Sequence, residues 1–128
     1  MSDDTVGVVR RAYEAWNEHG PEAIASMLSE DVELHDAPQL PDAEVWRGRG
    51  PVVERLRAVA DSVGGGFVEF EGFSLQGNSV LVTMLWEVGT EARHAELGKV
   101  FHLAEVKDGK ISRLRVFLTE SEARSAPA

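Results

Sequence analysis

The chain has 128 residues, 43% of them hydrophobic, a formal net charge of −9 and no cysteine. The lack of cysteine excludes disulfides, thiolate catalysis and cysteine-based zinc sites, and it fits a reducing cytoplasm. The negative charge argues against nucleic acid as a partner. No apolar run approaches the ~20 residues of a membrane span, so we expect no membrane partner either.

This length predicts one domain over 1–128, with an ordered core over about 4–120 and a tail over 121–128. A first helix is predicted from an apolar stripe at helical spacing: Val6, Val9, Tyr13 and Trp16. Gly20-Pro21 ends it and opens a second, short helix. A strand follows over 31–36, and a loop over 37–49 leads to a third helix that opens at Gly50-Pro51.

The second half of the chain changes to a period of two, which predicts strands. The predicted strands cover 67–76, 79–88, 97–107 and 110–119. A loop covers 89–96, and Asp108-Gly109 is a strong hairpin turn signal. Helices followed by antiparallel strands indicate the α+β class. A strongly twisted sheet wrapped over three helices would form a cone with a pocket at its wide end.

The order of these elements matches a known family. The segments that carry the match are "AYEAWNEHG", "PEAIASML", "SEDVELHD", "WRGRGPVVERL", "VKDGKISRLRVF" and "TESEA". They resemble the SnoaL-like and ketosteroid-isomerase-like branch of the nuclear-transport-factor-2-like (NTF2-like) superfamily. The resemblance implies a curved sheet and three helices that enclose an apolar pocket. Members include isomerases, polyketide cyclases, epoxide hydrolases, dehydratases and non-catalytic domains, so the resemblance leaves the activity open.

Asp36 is the first candidate catalytic residue. Val32, Leu34 and Asp36 share one face of the predicted strand, while Glu33 and His35 share the other. If the apolar pair faces inward, Asp36 does too, and a buried carboxylate is a stronger base. The resemblance places Asp36 on the general base of the steroid isomerases. The alternative is a solvent-exposed cap on the turn that follows the strand.

His102 is the second candidate. The resemblance, with one residue fewer in the Asp108-Gly109 turn, places His102 where the isomerases carry a protonated acid that donates to the enolate. Without that gap, Phe101 takes the position and no donor remains. An inward imidazole could polarise a carbonyl or carry a proton. The alternative is a half-buried histidine that is hydrogen-bonded within the sheet.

The sequence also departs from the enzymes that it resembles. The first-helix tyrosine of the isomerases aligns with Ala12, and the neighbouring Tyr13 lies on the core stripe. The cyclases carry an acid on the last strand, where the inward face here is apolar: Leu114, Val116 and Leu118. Neither catalytic set is complete, which argues against steroid isomerisation itself.

The predicted substrate-binding residues are mostly large and apolar, which suits a small apolar ligand. They are Tyr13, Trp46, Met84, Trp86, Val88, Val116 and Leu118. Trp46 is expected in the loop before the third helix. The alternative for these residues is core packing. No cofactor is expected. No metal is expected either, because His35 points away from Asp36 and no two histidines have the spacing of metal ligands on a helix.

The leading hypothesis is a cofactor-independent enzyme that acts by acid–base chemistry on a small apolar carbonyl compound. Asp36 would remove a proton, and His102 would stabilise the enolate or return the proton. The alternative is a non-catalytic ligand-binding or assembly domain. We also expect a homodimer through the outer face of the sheet, with Phe117 and either Phe101 or Leu103 at the contact.

Overall fold

The computed structural model describes residues 2–40, 42–62, 68–89 and 94–126, and the side chains of 5–40, 42–61, 69–86 and 98–126. In chain order the elements are α1 (Ser2–His19), a 3-10 helix (Pro21–Met27), β1 (Leu28–His35), β2 (Val45–Arg47), α2 (Arg49–Ser62), β3 (Val68–Gln76), β4 (Ser79–Gly89), β5 (His94–Lys107), β6 (Lys110–Phe117) and α3 (Glu120–Ser125). No helix in these ranges is long and apolar enough to cross a membrane.

The strands described form one six-stranded sheet in the order β2-β1-β6-β5-β4-β3. β1 runs parallel to β6, and the other neighbouring strands are antiparallel. The register shifts between Phe70 and Gly72, between Trp86 and Glu87, and between Glu105 and Val106. Such irregularities bend a strand and increase its twist, which curves the sheet. The predicted α+β architecture is confirmed.

The concave face of the sheet carries the main core. The α1 stripe of Val9, Tyr13 and Trp16 packs against it, as the helical spacing predicts. The 3-10 helix contributes the fully buried Ile24, and α2 contributes Leu56. The helices thus cover the concave face of the sheet, and the inward side chains of the strands lie between the sheet and the helices.

A three-residue strand, β2, lies inside the segment predicted to be a loop. It pairs antiparallel with the end of β1, with Leu34 opposite Trp46. A strand this short carries too little alternation to be seen in the sequence. Trp46 therefore lies on a strand and not in a loop. β5 also starts at His94, inside the predicted loop over 89–96.

The predicted tail is helical as far as Ser125. Thr119 is the N-cap of α3, and its hydroxyl accepts a hydrogen bond from the Glu122 backbone N–H at 3.2 Å. Ala123 of this helix is fully buried against the outer face of the sheet. The spacing of threonine and glutamate is that of a capping box, a helix start signal.

The helix α3 changes the expected dimer surface. Phe101 and Leu103 are buried in a second apolar cluster beneath α3, with Phe117 half-buried at its side. The expectation that Phe101 or Leu103 is exposed for a partner is wrong, because the chain's own C-terminal helix covers both.

Candidate functional site

A cavity of about 260 Å³ lies between the inner face of the sheet and the helices. Its lining residues are Trp16, Leu34, Asp36, Leu40, Leu56, Val59, Trp86, Gly98, Lys99, Val100, His102, Val116 and Leu118. The Lys99 side chain is more than half exposed and pairs with Glu71 at 3.1 Å. Among the described lining residues, the buried ionisable groups are therefore Asp36 and His102.

Asp36 directly follows β1 and lies on the inner side of the sheet. Its side chain is only 3% exposed, and it shares the cavity wall with Leu34. This is the orientation that the alternation of Val32, Leu34 and Asp36 predicts. The alternative of a solvent-exposed turn cap does not hold.

The Asp36 carboxylate is held by donors from three directions. Its Oδ2 accepts from Trp46 Nε1 at 2.9 Å and from the Glu44 backbone N–H at 3.2 Å. The Arg55 guanidinium donates from Nε to Oδ1 at 3.2 Å and lies 3.1 Å from Oδ2 through Nη2. A buried carboxylate needs such compensation. Oδ1 has a single partner among the described residues, so it keeps a lone pair for a ligand.

Arg55, which pairs with Asp36, is one of the site residues that the sequence interpretation missed. It also binds Asp42 through two hydrogen bonds of 3.0 and 3.2 Å, and its guanidinium carbon lies 5.3 Å from the Trp46 ring centroid. Pairing with Asp42, and then with Asp36, raises the pKa of Arg55, so the guanidinium stays charged. The sequence does contain a signal for this position. Arg55 comes three residues after Val52 and four before Val59, so it lies on the apolar stripe by which α2 packs against the core.

His102 lies on the inner face of β5, opposite Val82 of β4 and Val116 of β6. It is 3% exposed and contributes to the cavity wall. Phe101 belongs to the cluster on the opposite face of the sheet. Of the two residues that the sequence left open, His102 is therefore the one that faces inward.

Tyr13 lies directly behind His102. The Tyr13 hydroxyl and His102 Nδ1 are 2.6 Å apart, and both residues are buried. Burial lowers the pKa of His102 to about 4 and raises the pKa of Tyr13. Both groups are therefore neutral at ordinary pH. Tyr13 is absent from the cavity lining and packs among Trp16, Phe70 and Phe73.

The remaining predicted substrate-binding residues divide into three groups. Trp86, Val116 and Leu118 line the cavity. Met84 is fully buried in the core and Trp46 contacts Asp36, so neither forms part of the cavity wall. The side chain of Val88 lies outside the described residues. The alternation predicted Met84 on the inner face, but it could not show that the helices cover this position.

Leu40 and Trp16 line the cavity although neither was predicted to bind a ligand. The helical stripe predicts Trp16 in the core, and Trp16 belongs both to the core and to the cavity wall, because the cavity reaches the core beside α1. Leu40 belongs to the loop between β1 and β2. Its place depends on how that loop folds back, which no local pattern indicates.

The outward neighbour of Asp36 takes no part in this site. His35 Nε2 lies 3.0 Å from Glu33 Oε1, and Arg47 also pairs with Glu33. All three side chains are a third or more exposed. Two adjacent residues thus lie in opposite environments, because successive side chains of a strand point to opposite faces.

A family model described as the SnoaL-like domain matches residues 9–114. The chain belongs to the SnoaL-like family. This match covers both Asp36 and His102 and confirms the predicted relationship. No match was found among the curated proteins.

Solved structures share the SnoaL-like fold at low sequence identity. Bal32a, from a soil-derived mobile gene cassette, is 15% identical with a TM-score of 0.76 over 95% of this chain and 94% of that chain. TerC, co-crystallised with polyporic acid, is 22% identical with a TM-score of 0.72 over 94% and 95%. A putative SnoaL-like polyketide cyclase from Jannaschia sp. CCS1 is 14% identical with a TM-score of 0.72 over 98% and 95%. These likenesses show an NTF2-like fold and leave the chemistry to the site itself.

Proposed function

We propose that this SnoaL-like protein is a cofactor-independent enzyme that acts by acid–base chemistry on a small apolar carbonyl compound. The observation that carries the proposal is the cavity wall. Apart from the largely exposed Lys99, its side chains are apolar except for two buried ionisable groups, Asp36 and His102. Burying such groups on the wall of a cavity is costly, and it is typical of sites where they contact a ligand.

The proposed step is removal of a proton from the carbon next to the carbonyl. The C–H bond breaks and its proton forms an O–H bond with Asp36 Oδ1. The C–H electron pair forms the new C=C bond, and the π pair of the carbonyl group moves onto the carbonyl oxygen. His102 then stabilises that oxygen, and the proton returns to the same carbon or to another one. Isomerisation and ring closure can both begin with this step.

The size and lining of the cavity limit the substrate. Its volume of about 260 Å³ lies just below the roughly 300–1,000 Å³ that is typical of small-molecule sites. Trp16 and Trp86 supply flat apolar surface. A small ketone, lactone or polyketide fragment fits these limits better than a highly charged metabolite does. The polyketide cyclase among the structural neighbours is consistent with that class.

The test is exchange of carbon-bound protons, because it detects the proposed step before any product is known. Small ketones, lactones and polyketide mimics are incubated with the protein in D₂O, and NMR follows loss of the proton next to the carbonyl. We expect exchange with at least one class of compound. Asp36→Asn should slow it by about 100-fold to 10,000-fold, the usual contribution of a general base.

Asp31→Asn is the matched control, because Asp31 is an exposed acid on the same strand. It should leave the exchange rate unchanged. Circular dichroism and thermal unfolding must show that both variants fold. Equal exchange rates in wild type and in a folded Asp36→Asn variant would show that Asp36 is not the general base.

A second candidate function is ligand binding without catalysis. It is favoured by one observation: Asp36 already has donors from Arg55, Trp46 and the Glu44 backbone, as a purely structural carboxylate would. Calorimetry with the same compounds separates the two functions. Tight binding with no exchange at any pH from 5 to 9 would establish the binder and exclude the enzyme.

The homodimer remains a proposal. The burial of Phe101 and Leu103 beneath α3 leaves a smaller part of the outer face for the dimer contact. Since α3 packs over Phe101 and Leu103, we expect a partner to use another part of the outer face, such as the surface around the half-buried Arg113 and Phe117. Light scattering coupled to gel filtration should return twice the 14.0 kDa chain mass. A mass of one chain would rule out a stable dimer.

A further inference from the structure

The contact between Tyr13 and His102 determines what the histidine can offer to a ligand. The two residues are 89 positions apart in sequence, and their side chains meet at 2.6 Å in the interior. His102 belongs to the cavity wall, whereas Tyr13 lies behind it, among aromatic rings. The hydrogen bond therefore forms on the side of the imidazole that faces away from the cavity.

The direction of that hydrogen bond follows from what each group has available. A tyrosine hydroxyl has one proton to donate, and a buried O–H without an acceptor is costly. Among the described residues, the acceptor within reach of the Tyr13 hydroxyl is His102 Nδ1. If Nδ1 carried the proton instead, the tyrosine proton would lose this acceptor. Tyr13 thus donates to Nδ1, and the proton of the neutral ring is on Nε2.

We propose that Tyr13 is a positioning residue that fixes His102 as the Nε2–H tautomer, so that the cavity presents a neutral N–H donor to the ligand. Ligands selected by this donor carry a hydrogen-bond acceptor, such as a carbonyl, enolate or phenolate oxygen, and not a cation. The inference rests on the proposed function for its catalytic meaning. It assigns His102 to stabilising the oxygen and not to removing the proton.

The surroundings of the ring support a neutral donor. Its neighbours are Tyr13, the Trp16 ring at 6.5 Å between centroids, and the strand partners Val82 and Val116. Among the described residues no carboxylate is hydrogen-bonded to Nδ1, and burial lowers the pKa of His102 to about 4. A hydroxyl that donates to Nδ1 also polarises the ring and strengthens the N–H on the far side.

The test is direct observation of the tautomer by ¹⁵N NMR on the ligand-free protein. Protonated and unprotonated imidazole nitrogens resonate in separate ranges, and a His102→Asn variant assigns the signals. We expect Nε2 protonated and Nδ1 unprotonated between pH 8 and pH 5. In Tyr13→Phe the single tautomer should give way to a mixture of both forms.

Tyr13 is the only tyrosine of the chain, which provides a second test without mutation. Uniform incorporation of 3-fluorotyrosine changes this one hydroxyl and makes it a stronger donor. We expect the Nδ1 resonance to shift further while Nε2 stays protonated. This arm holds even if Tyr13→Phe does not fold. Val9→Ala, a buried truncation on the same helix, is the control for a general loss of packing and should leave the tautomer unchanged.

The inference is overturned if wild-type His102 carries its proton on Nδ1, if it is an imidazolium at neutral pH, or if fluorination leaves Nδ1 unmoved. These outcomes are independent of the proton-exchange experiment. If proton exchange is observed but His102 carries its proton on Nδ1, the protein is an enzyme in which His102 carries a proton and does not donate from Nε2. If Nε2 is protonated but no exchange is observed, the donor site exists and the proposed reaction does not occur.

Discussion

The two buried polar groups of the cavity wall, Asp36 and His102, are stabilised in opposite ways. Asp36 is surrounded by donors from β2, α2 and the loop before β2, and it pairs with a charged guanidinium. His102 has one neutral partner from α1 and sits among apolar side chains. The first group therefore has a charged counterion, whereas the second has only a neutral partner.

The difference follows from the cost of burying charge. Removing an ion from water costs several kcal/mol, so a buried ionisable group either acquires a counterion or becomes neutral. At Asp36 the counterion lies on the apolar stripe of α2. At His102 no acid contacts the ring among the described residues, and burial lowers the pKa of the imidazole to about 4.

The largest effect is expected at Arg55. Arg55→Met keeps an unbranched side chain of similar length but removes the guanidinium that pairs with the Asp36 carboxylate. We expect a loss of about 3 to 4 kcal/mol in the free energy of unfolding, as for a broken buried ion pair. Denaturant unfolding at pH 7 measures it. Arg57→Met is the matched control on the same helix. Its pair with Glu22 is about half exposed on each side, so the cost should stay below about 1 kcal/mol.

Asp36→Asn combined with Arg55→Met tests the explanation. If the single variant is unstable because of an unpaired carboxylate, the uncharged amide should recover part of the loss. A double variant that is less stable than Arg55→Met alone would show that packing on Trp46, and not charge, is the reason for the cost.

The next largest effect is the loss of stability at acid pH that we expect from His102. The unfolded chain binds a proton on this histidine from about pH 6.5 downward, whereas the folded chain resists it until about pH 4. Stability is therefore complete above pH 6.5 and falls as the pH drops toward 4. Protonation of this one residue should lower the free energy of unfolding by about 3 kcal/mol between pH 6.5 and pH 4. Unfolding free energies measured at pH 7, 5.5 and 4.5 give the slope.

His102→Leu removes the titrating group, so the slope of that variant should be shallower than the slope of wild type. The Tyr13 hydroxyl then loses its acceptor, but this cost does not depend on pH in the same range. His19→Gln is the control, since the His19 side chain is 71% exposed. Parallel curves for wild type and His102→Leu would show that His102 does not resist protonation in the folded state.

The orientation of some side chains in the site could be predicted from the sequence, because it depends on local patterns. At His102 both faces of β5 are apolar, so the sequence left His102 and Phe101 as alternatives. Alternation along β1, by contrast, was enough to favour an inward Asp36, together with Val32 and Leu34. Helical spacing was likewise enough for the α1 stripe. These are local patterns, and they predict orientation well.

The partners of the two groups could not be derived in this way. Trp46 reaches Asp36 because a three-residue strand folds back, and Tyr13 reaches His102 across 89 positions of sequence. Such contacts depend on the closure of the whole fold and have no local signature. Arg55 and the Thr119 cap of α3 did leave signals, a charge on an apolar stripe and a capping box.

A smaller effect is expected at Tyr13. Tyr13→Phe keeps the ring in its aromatic cluster but leaves His102 Nδ1 without a donor, which should cost about 1 to 2 kcal/mol. Thermal unfolding measures it, and the cost should be absent when Tyr13→Phe is made in the His102→Leu background. An equal cost in both backgrounds would mean that the hydrogen bond contributes nothing.

The smallest effect is expected at His35, the sequence neighbour of Asp36. Its contact with Glu33 is about one third exposed on each side, and exposed pairs contribute between about 0 and 1 kcal/mol. His35→Gln should therefore change the unfolding free energy by less than about 1 kcal/mol and leave proton exchange at wild-type rates. Asp36→Asn, one position further along the chain, should abolish most of that exchange. If His35→Gln slowed exchange as strongly, the outer face of β1 would have to communicate with the cavity. The sharp division between two adjacent side chains, on which both the assignment of Asp36 and its contrast with His102 depend, would then be wrong.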